Sequence, residues 1–255
     1  MASIIDSFSE ALNDRFSVIK FIVLAIPVYI VAEKFAMGKM AYVQVWGPIV
    51  LLFLLAVFTQ AINNVRMSRT EILTLNPITL FKTLIKALVV LVPHVCLYSY
   101  IGYVATNLLH FNVDVPHFNL IVHIIVWSIL GSIVLTSYLS FAKYLSVPQG
   151  YNYKVILESC TDVLISLVFY SPQLALAVAI LVAPAWYAFN LFNIPLNHWG
   201  FVGYCSVIFV VSLSILANYF AQSAYEQIKG NNEDYDDNYN KIDFLDDVAE
   251  KMNGR

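Results

Sequence analysis

The amino-acid sequence predicts an all-α, polytopic membrane protein with six transmembrane helices, and three observations support this fold class. Hydrophobic residues make up 60% of the 255 residues and charged residues only 12%, about half the charged share of a soluble domain. Four separate stretches of 26 or more residues contain no Asp, Glu, Lys or Arg: 40–65, 87–113, 115–142 and 163–225. Because about 20 apolar residues are enough to cross the hydrocarbon layer, the last of these stretches has room for two spans.

The chain divides into three predicted regions. Residues 1–17 are expected to form a cytoplasmic amphipathic helix, because apolar residues from Ile4 to Phe16 recur every three or four positions and share one face. Residues 18–225 form the six-span transmembrane domain. Residues 226–255 form an acidic cytoplasmic tail that ends in a short amphipathic segment.

The spans follow the apolar stretches in order, and polar or charged residues separate them. We predict spans over residues 18–32, 45–63, 84–104, 120–142, 164–187 and 201–220. Asn76 and Pro77 predict where the helix leading into the third span begins, because Asn is a good N-cap and Pro suits the first helical position. Asp162 is predicted to cap the fifth span. Residues 148–150 and 190–200 are predicted turns.

The distribution of Lys and Arg predicts the orientation. With six spans, twelve of these residues lie on the side of the two termini, and only Lys34 and Lys39 lie on the other side. Because Lys and Arg are enriched in cytoplasmic loops, both termini are predicted to be cytoplasmic.

The odd-numbered spans share a layout that predicts an internal threefold repeat. In each of them a polar residue stands ten positions before a proline. The pairs are Ser17 and Pro27, Thr83 and Pro93, and Asp162 and Pro172. We therefore expect three copies of one unit, made of an interfacial helix, a kinked span and a return span.

Two of these prolines have a polar neighbour that is a candidate functional residue. A proline inside a span leaves the carbonyl one turn earlier without a donor. His94 follows Pro93 and lies about 15 Å into the third span, while Gln173 follows Pro172. An ionisable residue at this depth indicates a functional site by default, so we predict that His94, Gln173 and Tyr98 line a midplane substrate site. The alternative is that these side chains only repair the interrupted helices.

Residues of metal-binding type precede the fourth span. His110, Asp114 and His117 lie in one loop, and His123 follows just inside the span. Their spacing matches no known metal-site pattern, and histidines are ordinary in interfacial loops. We therefore expect no metal and no other cofactor.

Function is predicted only as a class. No HExxH, GxSxG, Walker or dinucleotide-binding motif occurs, so we expect no enzymatic activity. The first hypothesis is a membrane-embedded binding, assembly or lipid-handling protein. The alternative is a small transporter or channel for a neutral or lipid-like solute that passes His94 and Gln173. A water-accessible cavity at His94 would favour transport, and a lateral apolar groove would favour the first hypothesis.

The expected partners follow from charge and hydropathy. The lipid bilayer contacts the spans, and the acidic tail could dock on a protein partner or on the basic cytoplasmic loops. No basic stripe indicates nucleic-acid binding. Short loops and the lack of a eukaryotic sorting signal favour the bacterial inner membrane as the location.

Overall fold

The computed structural model describes residues 9, 16–67, 72–73, 75–109 and 117–228, with side chains described as far as residue 221. These residues form six α-helices and one short 3-10 helix. They are α1 (Ser17–Ala36), α2 (Met40–Arg66), α3 (Pro77–Leu108), α4 (Phe118–Tyr144), the 3-10 helix Val147–Tyr151, α5 (Tyr153–Leu191) and α6 (Trp199–Ile228). The all-α prediction is confirmed. Most of the predicted N-terminal helix and nearly all of the acidic tail lie outside the described residues.

Five of the helices, α2 to α6, are long and apolar enough to cross a membrane. Each contains an 18-residue window with a mean hydropathy between 1.9 and 2.2. Large apolar side chains such as Leu51, Val168 and Ile180 are exposed on their surfaces, which suits contact with lipid. The chain is therefore a polytopic helical membrane protein.

Helix α1 differs from the other five in charge. It has 20 residues and carries Lys20, Glu33 and Lys34, so every 18-residue window within it includes all three charges. Because of these charges, α1 is not among the five helices that are apolar enough to cross a membrane. The sixth span therefore stays a prediction.

The helix beginnings test two predictions about caps. Asn76 caps α3 as predicted, because its side-chain oxygen accepts a hydrogen bond from the backbone N–H of Ile78 at 3.1 Å. The prediction for Asp162 is wrong. It is the tenth residue of α5 and is exposed, while Asn152 caps that helix through the backbone N–H of Val155 at 3.5 Å. The helix is not interrupted between residues 153–162 and the predicted fifth span, so both belong to α5.

The even-numbered helices form the centre of the bundle. Helices α2, α4 and α6 contact one another, and each odd-numbered helix packs against two of them: α1 against α6 and α2, α3 against α2 and α4, and α5 against α4 and α6. Aromatic rings fill the centre. Phe58 of α2 stacks on Tyr138 of α4, with ring centroids 6.4 Å apart, and meets Phe220 of α6 edge-on at 6.2 Å.

Burial is concentrated in one half of the bundle. The buried residues of α2 lie between Leu54 and Asn64, and those of α4 lie between Ser132 and Tyr144. The other halves of these helices, towards the α1–α2 and α3–α4 connections, have side chains that are exposed or partly exposed. We call this the hairpin end and the opposite half the packed end. At the hairpin end the helices present apolar surface to lipid instead of to one another.

The chain folds back after α4. The 3-10 helix runs along the last two turns of α4, where the Ser140 hydroxyl donates to the Gln149 carbonyl at 3.1 Å and the Ser137 hydroxyl donates to the Gly150 carbonyl at 2.7 Å. A Cβ on Gly150 would lie 2.6 Å from Cγ1 of Val90, so only glycine fits this close approach to α3. In the predicted turn at 148–150, Gln149 and Gly150 are therefore buried and pack against α3 and α4, while Pro148 is exposed. Its carbonyls bond to serine hydroxyls, as non-helical backbone at this depth requires.

Candidate functional site

The kink at Pro93 is repaired by a side chain from another element. Proline has no backbone N–H, so the carbonyl of Val89, four residues earlier, loses its helical donor. The hydroxyl of Tyr151, at the end of the 3-10 helix, donates to this carbonyl at 2.6 Å. The sequence predicts that a donor is needed here, but it does not identify Tyr151, which lies 62 positions away along the chain.

His94 is sealed inside the protein beside this kink. Its side chain is only 1% exposed, and its Nδ1 lies 2.8 Å from the carbonyl oxygen of Val90. Because a carbonyl only accepts, Nδ1 carries the hydrogen of this bond. Three tyrosine rings surround the imidazole: Tyr151 at 4.8 Å, Tyr153 at 5.9 Å and Tyr98 at 6.2 Å between centroids. Among the described residues, no group donates a hydrogen bond to Nε2.

The three predicted substrate-site residues have different environments. His94 and Tyr98 are neighbours on α3, and Tyr98 is half-buried. Gln173 is exposed on the surface of α5. The structure therefore brings two of the three together, and a shared substrate site stays a prediction. The alternative, in which these side chains only repair interrupted helices, applies in part. The Val89 carbonyl that Pro93 leaves without a donor is indeed paired, but with Tyr151 and not with His94.

A lateral groove lies between α2, α3 and α4, with a volume of about 440 Å³. This volume is within the range of about 300 to 1,000 Å³ that is usual for small-molecule sites. Its lining is almost wholly apolar. The polar exceptions are Ser99 and the hydroxyl-bearing side chains of Tyr98 and Tyr138. The apolar lining includes Leu55, Phe58, Leu91, Val95, Leu130 and Val134. We call this cavity the α2–α4 groove.

Gly131 makes the space in this groove. No described atom lies within 4 Å of the position that a Cβ on Gly131 would occupy, and Gly131 itself lines the groove. Glycine inside a helix costs about 0.5 to 1 kcal/mol relative to alanine. The absence of a side chain here therefore leaves space at the groove that a larger residue would occupy.

The groove has an open mouth and a closed floor. At the mouth, Trp127 is 44% exposed, whereas at the floor Tyr138 is 5% exposed. Val95 lies seven residues, about 10 Å, from Gly102 towards the packed end and is 46% exposed, so the groove is also open along α3. Trp127 lies against α3 because Gly102 has no side chain, and a Cβ there would be 2.9 Å from Cη2 of Trp127. Trp127 and Tyr138 are eleven residues apart on α4, which places mouth and floor about 16 Å apart. The mouth faces the hairpin end.

The floor is fixed by hydrogen bonds and ring packing. The hydroxyls of Thr59 and Tyr138 lie 2.6 Å apart, and both residues are buried. Because the Thr59 hydroxyl donates to the Leu55 carbonyl at 2.7 Å, Tyr138 donates its hydrogen to Thr59, and this hydrogen is not left for a ligand. Phe58 stacks on the Tyr138 ring, so the floor presents mainly aromatic carbon to the groove.

Below the floor, buried amides tie α2 to its neighbours. Thr83 donates its hydroxyl to Oε1 of Gln60 at 2.9 Å, and Nδ2 of Asn63 donates to the Lys143 carbonyl at 3.2 Å. Gln60 and Asn63 are not among the residues predicted from the sequence. Their helical spacing within an uncharged stretch is a signal that could have found them, since polar side chains hold helices together inside membranes.

The residues of metal-binding type are only partly described. His110 and Asp114 lie outside the described residues, and His117 is exposed just before α4. His123 lies one turn into α4 and has its Nδ1 2.6 Å from the carbonyl of Asn119. Within the described part of the chain, no three His, Cys, Asp or Glu residues form a group that could hold a metal ion.

No family model, curated protein or solved structure matches this chain. Function is therefore inferred from the chain's own geometry, which combines a sealed histidine with an open apolar groove.

Proposed function

We propose that this protein is a non-enzymatic membrane protein that binds a lipid or lipid-like molecule in the α2–α4 groove. The observation that carries the proposal is a groove of about 440 Å³ lined almost wholly by apolar side chains. The helices that form it are three of the five candidate spans, so hydrocarbon is the medium around it. An apolar cavity beside hydrocarbon favours an apolar occupant over water.

Burial of His94 supports binding over transport. A transport path needs a polar surface that solute or water can reach, whereas His94 is 1% exposed and Gln173 lies on the surface of another helix. A transporter for a neutral or lipid-like solute is the second candidate. The buried atom Nε2 of His94 favours it, since this atom has no hydrogen-bond partner among the described residues.

We also propose the finer topology: six spans with both termini cytoplasmic, in a bacterial inner membrane. Two observations support α1 as the sixth span. It packs against α6 and α2, as each other odd-numbered helix packs against two even-numbered ones, and residues 21–32 within it carry no charge. The same packing pattern supports three repeated helical pairs. Single-cysteine labelling of residues 38 and 197 from outside the cell tests this topology, because both positions are expected outside.

The acidic tail is proposed to dock on a protein partner or on the basic loops of the same face. The segregation of charge supports this, since residues 226–255 hold nine acidic and four basic residues, while residues 1–225 hold eight acidic and ten basic residues. A pull-down in gentle detergent, with and without residues 229–255, tests for a partner that depends on the tail.

Lipid retention tests the main proposal. The protein is purified with extensive detergent washing, and native mass spectrometry counts the lipids that stay bound. Gly131→Leu is expected to lose a tightly bound lipid that the unchanged protein keeps, because the new side chain occupies the groove. Gly47→Leu is the matched control. It makes the same exchange inside α2, where the nearest atom to the new Cβ is Cγ1 of Val43 at 3.8 Å and the groove is not involved.

Equal retention in the unchanged protein and in both variants would contradict lipid binding in the groove. Transport is tested separately with proteoliposomes. Solute flux that is lost in His94→Ala but kept in Gly131→Leu would favour the second candidate.

A further inference from the structure

We propose that the occupant of the α2–α4 groove is the terminal part of one unbranched hydrocarbon chain of a lipid in the hairpin-end leaflet. The chain enters between Trp127 and Ser99, and its methyl end lies against Phe58 and Tyr138. This inference rests on the proposed function and adds the part of the ligand, its direction and its length.

The direction follows from the gradient of exposure along the groove. Trp127 at the mouth is 44% exposed, whereas Tyr138 at the floor is 5% exposed. Beyond the floor, Phe141 and Ala142 are fully buried, so a bulky headgroup has no exit there. The apolar end of the chain therefore lies at the floor, and the polar part of the lipid stays on the hairpin-end side.

Continuity with the bilayer-contacting surface identifies the source of the chain. Between the floor and the mouth, the groove passes the point where α2 and α4 change from buried to exposed residues, at Leu54 and Ser132. From there towards the hairpin end, exposed side chains such as Leu51, Ile124 and Ile125 are apolar. A chain that lies along this surface reaches the groove without leaving hydrocarbon, so burial of its end requires no desolvation of polar groups.

The length of the groove sets the number of carbons it can hold. Mouth and floor are about 16 Å apart along α4. An extended alkyl chain advances about 1.3 Å per carbon, as C–C bonds of about 1.5 Å at tetrahedral angles require. About twelve carbons therefore fit between Trp127 and the Phe58–Tyr138 floor.

Gly131 divides this length unequally. It lies four residues from Trp127 and seven from Tyr138, about 6 Å and 10 Å along the helix axis. A leucine at this position therefore blocks the deeper part of the groove and leaves room for only about five carbons. Loss of the glycine should thus weaken long chains more than short ones.

Photoactivatable lipids test the inference with the full chain in liposomes. One probe carries a diazirine near the methyl end of a sixteen-carbon chain, and a second carries it beside the headgroup. The terminal probe is expected to label α2 and α4 around Phe58 and Leu135, and the headgroup probe should not label these residues. Gly131→Leu should reduce terminal labelling at the floor at least fivefold, and Gly47→Leu should leave it unchanged.

Failure of this inference and failure of the proposed function give different results in these experiments. If a lipid is retained in a Gly131-dependent way but the headgroup probe labels the floor, the direction is wrong. If terminal labelling of the floor is equal for eight-carbon and sixteen-carbon chains, the length argument is wrong. A crosslink at the floor to a second copy of the chain, in place of lipid, would overturn the choice of occupant. If no lipid is retained at all, the proposed function itself has failed.

Discussion

Repair of the Pro93 kink by Tyr151 leads to a prediction that a double-mutant cycle can measure. Tyr151→Phe removes the hydroxyl that donates to the Val89 carbonyl at 2.6 Å. The phenyl ring still packs 4.8 Å from the His94 ring, so packing is preserved and only the hydrogen bond is lost. This hydrogen bond lies at the exposed surface of α3, so without the hydroxyl the carbonyl faces the medium around the span. In hydrocarbon an unpaired carbonyl costs about 1 to 3 kcal/mol, and hydrogen bonds measured inside membrane proteins contribute about 0.6 to 1.7 kcal/mol. We expect Tyr151→Phe to lower the free energy of unfolding by about 1 to 2 kcal/mol.

The physical reason for this cost is tested by restoring the missing backbone donor. In Pro93→Ala the new N–H can bond to the Val89 carbonyl within the helix, so the Tyr151 hydroxyl is no longer needed. Tyr151→Phe should then cost less than half as much, which corresponds to a coupling energy of about 1 kcal/mol. Unfolding in mixed micelles with increasing SDS, followed by the fluorescence of the four tryptophans, gives all four free energies.

Tyr204→Phe is the matched control for this cycle. It removes a hydroxyl that donates to the Leu181 carbonyl at 2.7 Å, far from Pro93 along the chain. Its cost should be the same with Pro or Ala at position 93. If Tyr151→Phe also costs the same in both backgrounds, Tyr151 does not replace the donor that Pro93 removes, and the reasoning is refuted.

Three further predictions concern packing, buried polar groups and capping, and the same unfolding assay measures them. Gly102→Leu should displace Trp127, because the new Cβ would lie 2.9 Å from its ring, and should cost about 1 to 3 kcal/mol together with a shift in tryptophan emission. Gln60→Leu removes the acceptor that the buried Thr83 hydroxyl uses and should cost about 1 to 3 kcal/mol; adding Thr83→Val should recover part of this, and a further loss would contradict the assignment. Asn76→Ala removes the cap of α3 and should cost about 1 kcal/mol, whereas an unchanged stability would mean that the cap does not contribute.

The sequence was sufficient for features that depend on local composition. Five long apolar helices and the cap at Asn76 are confirmed, because hydropathy and capping act within one segment. The prediction that Asp162 caps a helix is wrong, and the reason for this is also local. An acidic residue suits a helix N-terminus, but Asn152 suits it as well, and the helical pattern continues unbroken between the two.

Features that depend on several helices were beyond the sequence. His94 and Gln173 have the same position relative to a proline, yet one is buried and the other is exposed, because the rotation of each helix in the bundle decides this. In lipid, the faces towards protein and towards hydrocarbon are both apolar, so periodicity does not distinguish them. The groove gave no sequence signal either, since it depends on the missing side chain of Gly131 opposite two other helices.

The most direct test of lipid binding is an experimental structure of the full chain determined in a lipid bilayer. We expect a continuous tube of density beside Gly131 that ends at the rings of Phe58 and Tyr138, with its other end emerging past Trp127 towards the hairpin end. A groove that is filled by protein side chains, or closed by contact of Gly131 with α3, would contradict it.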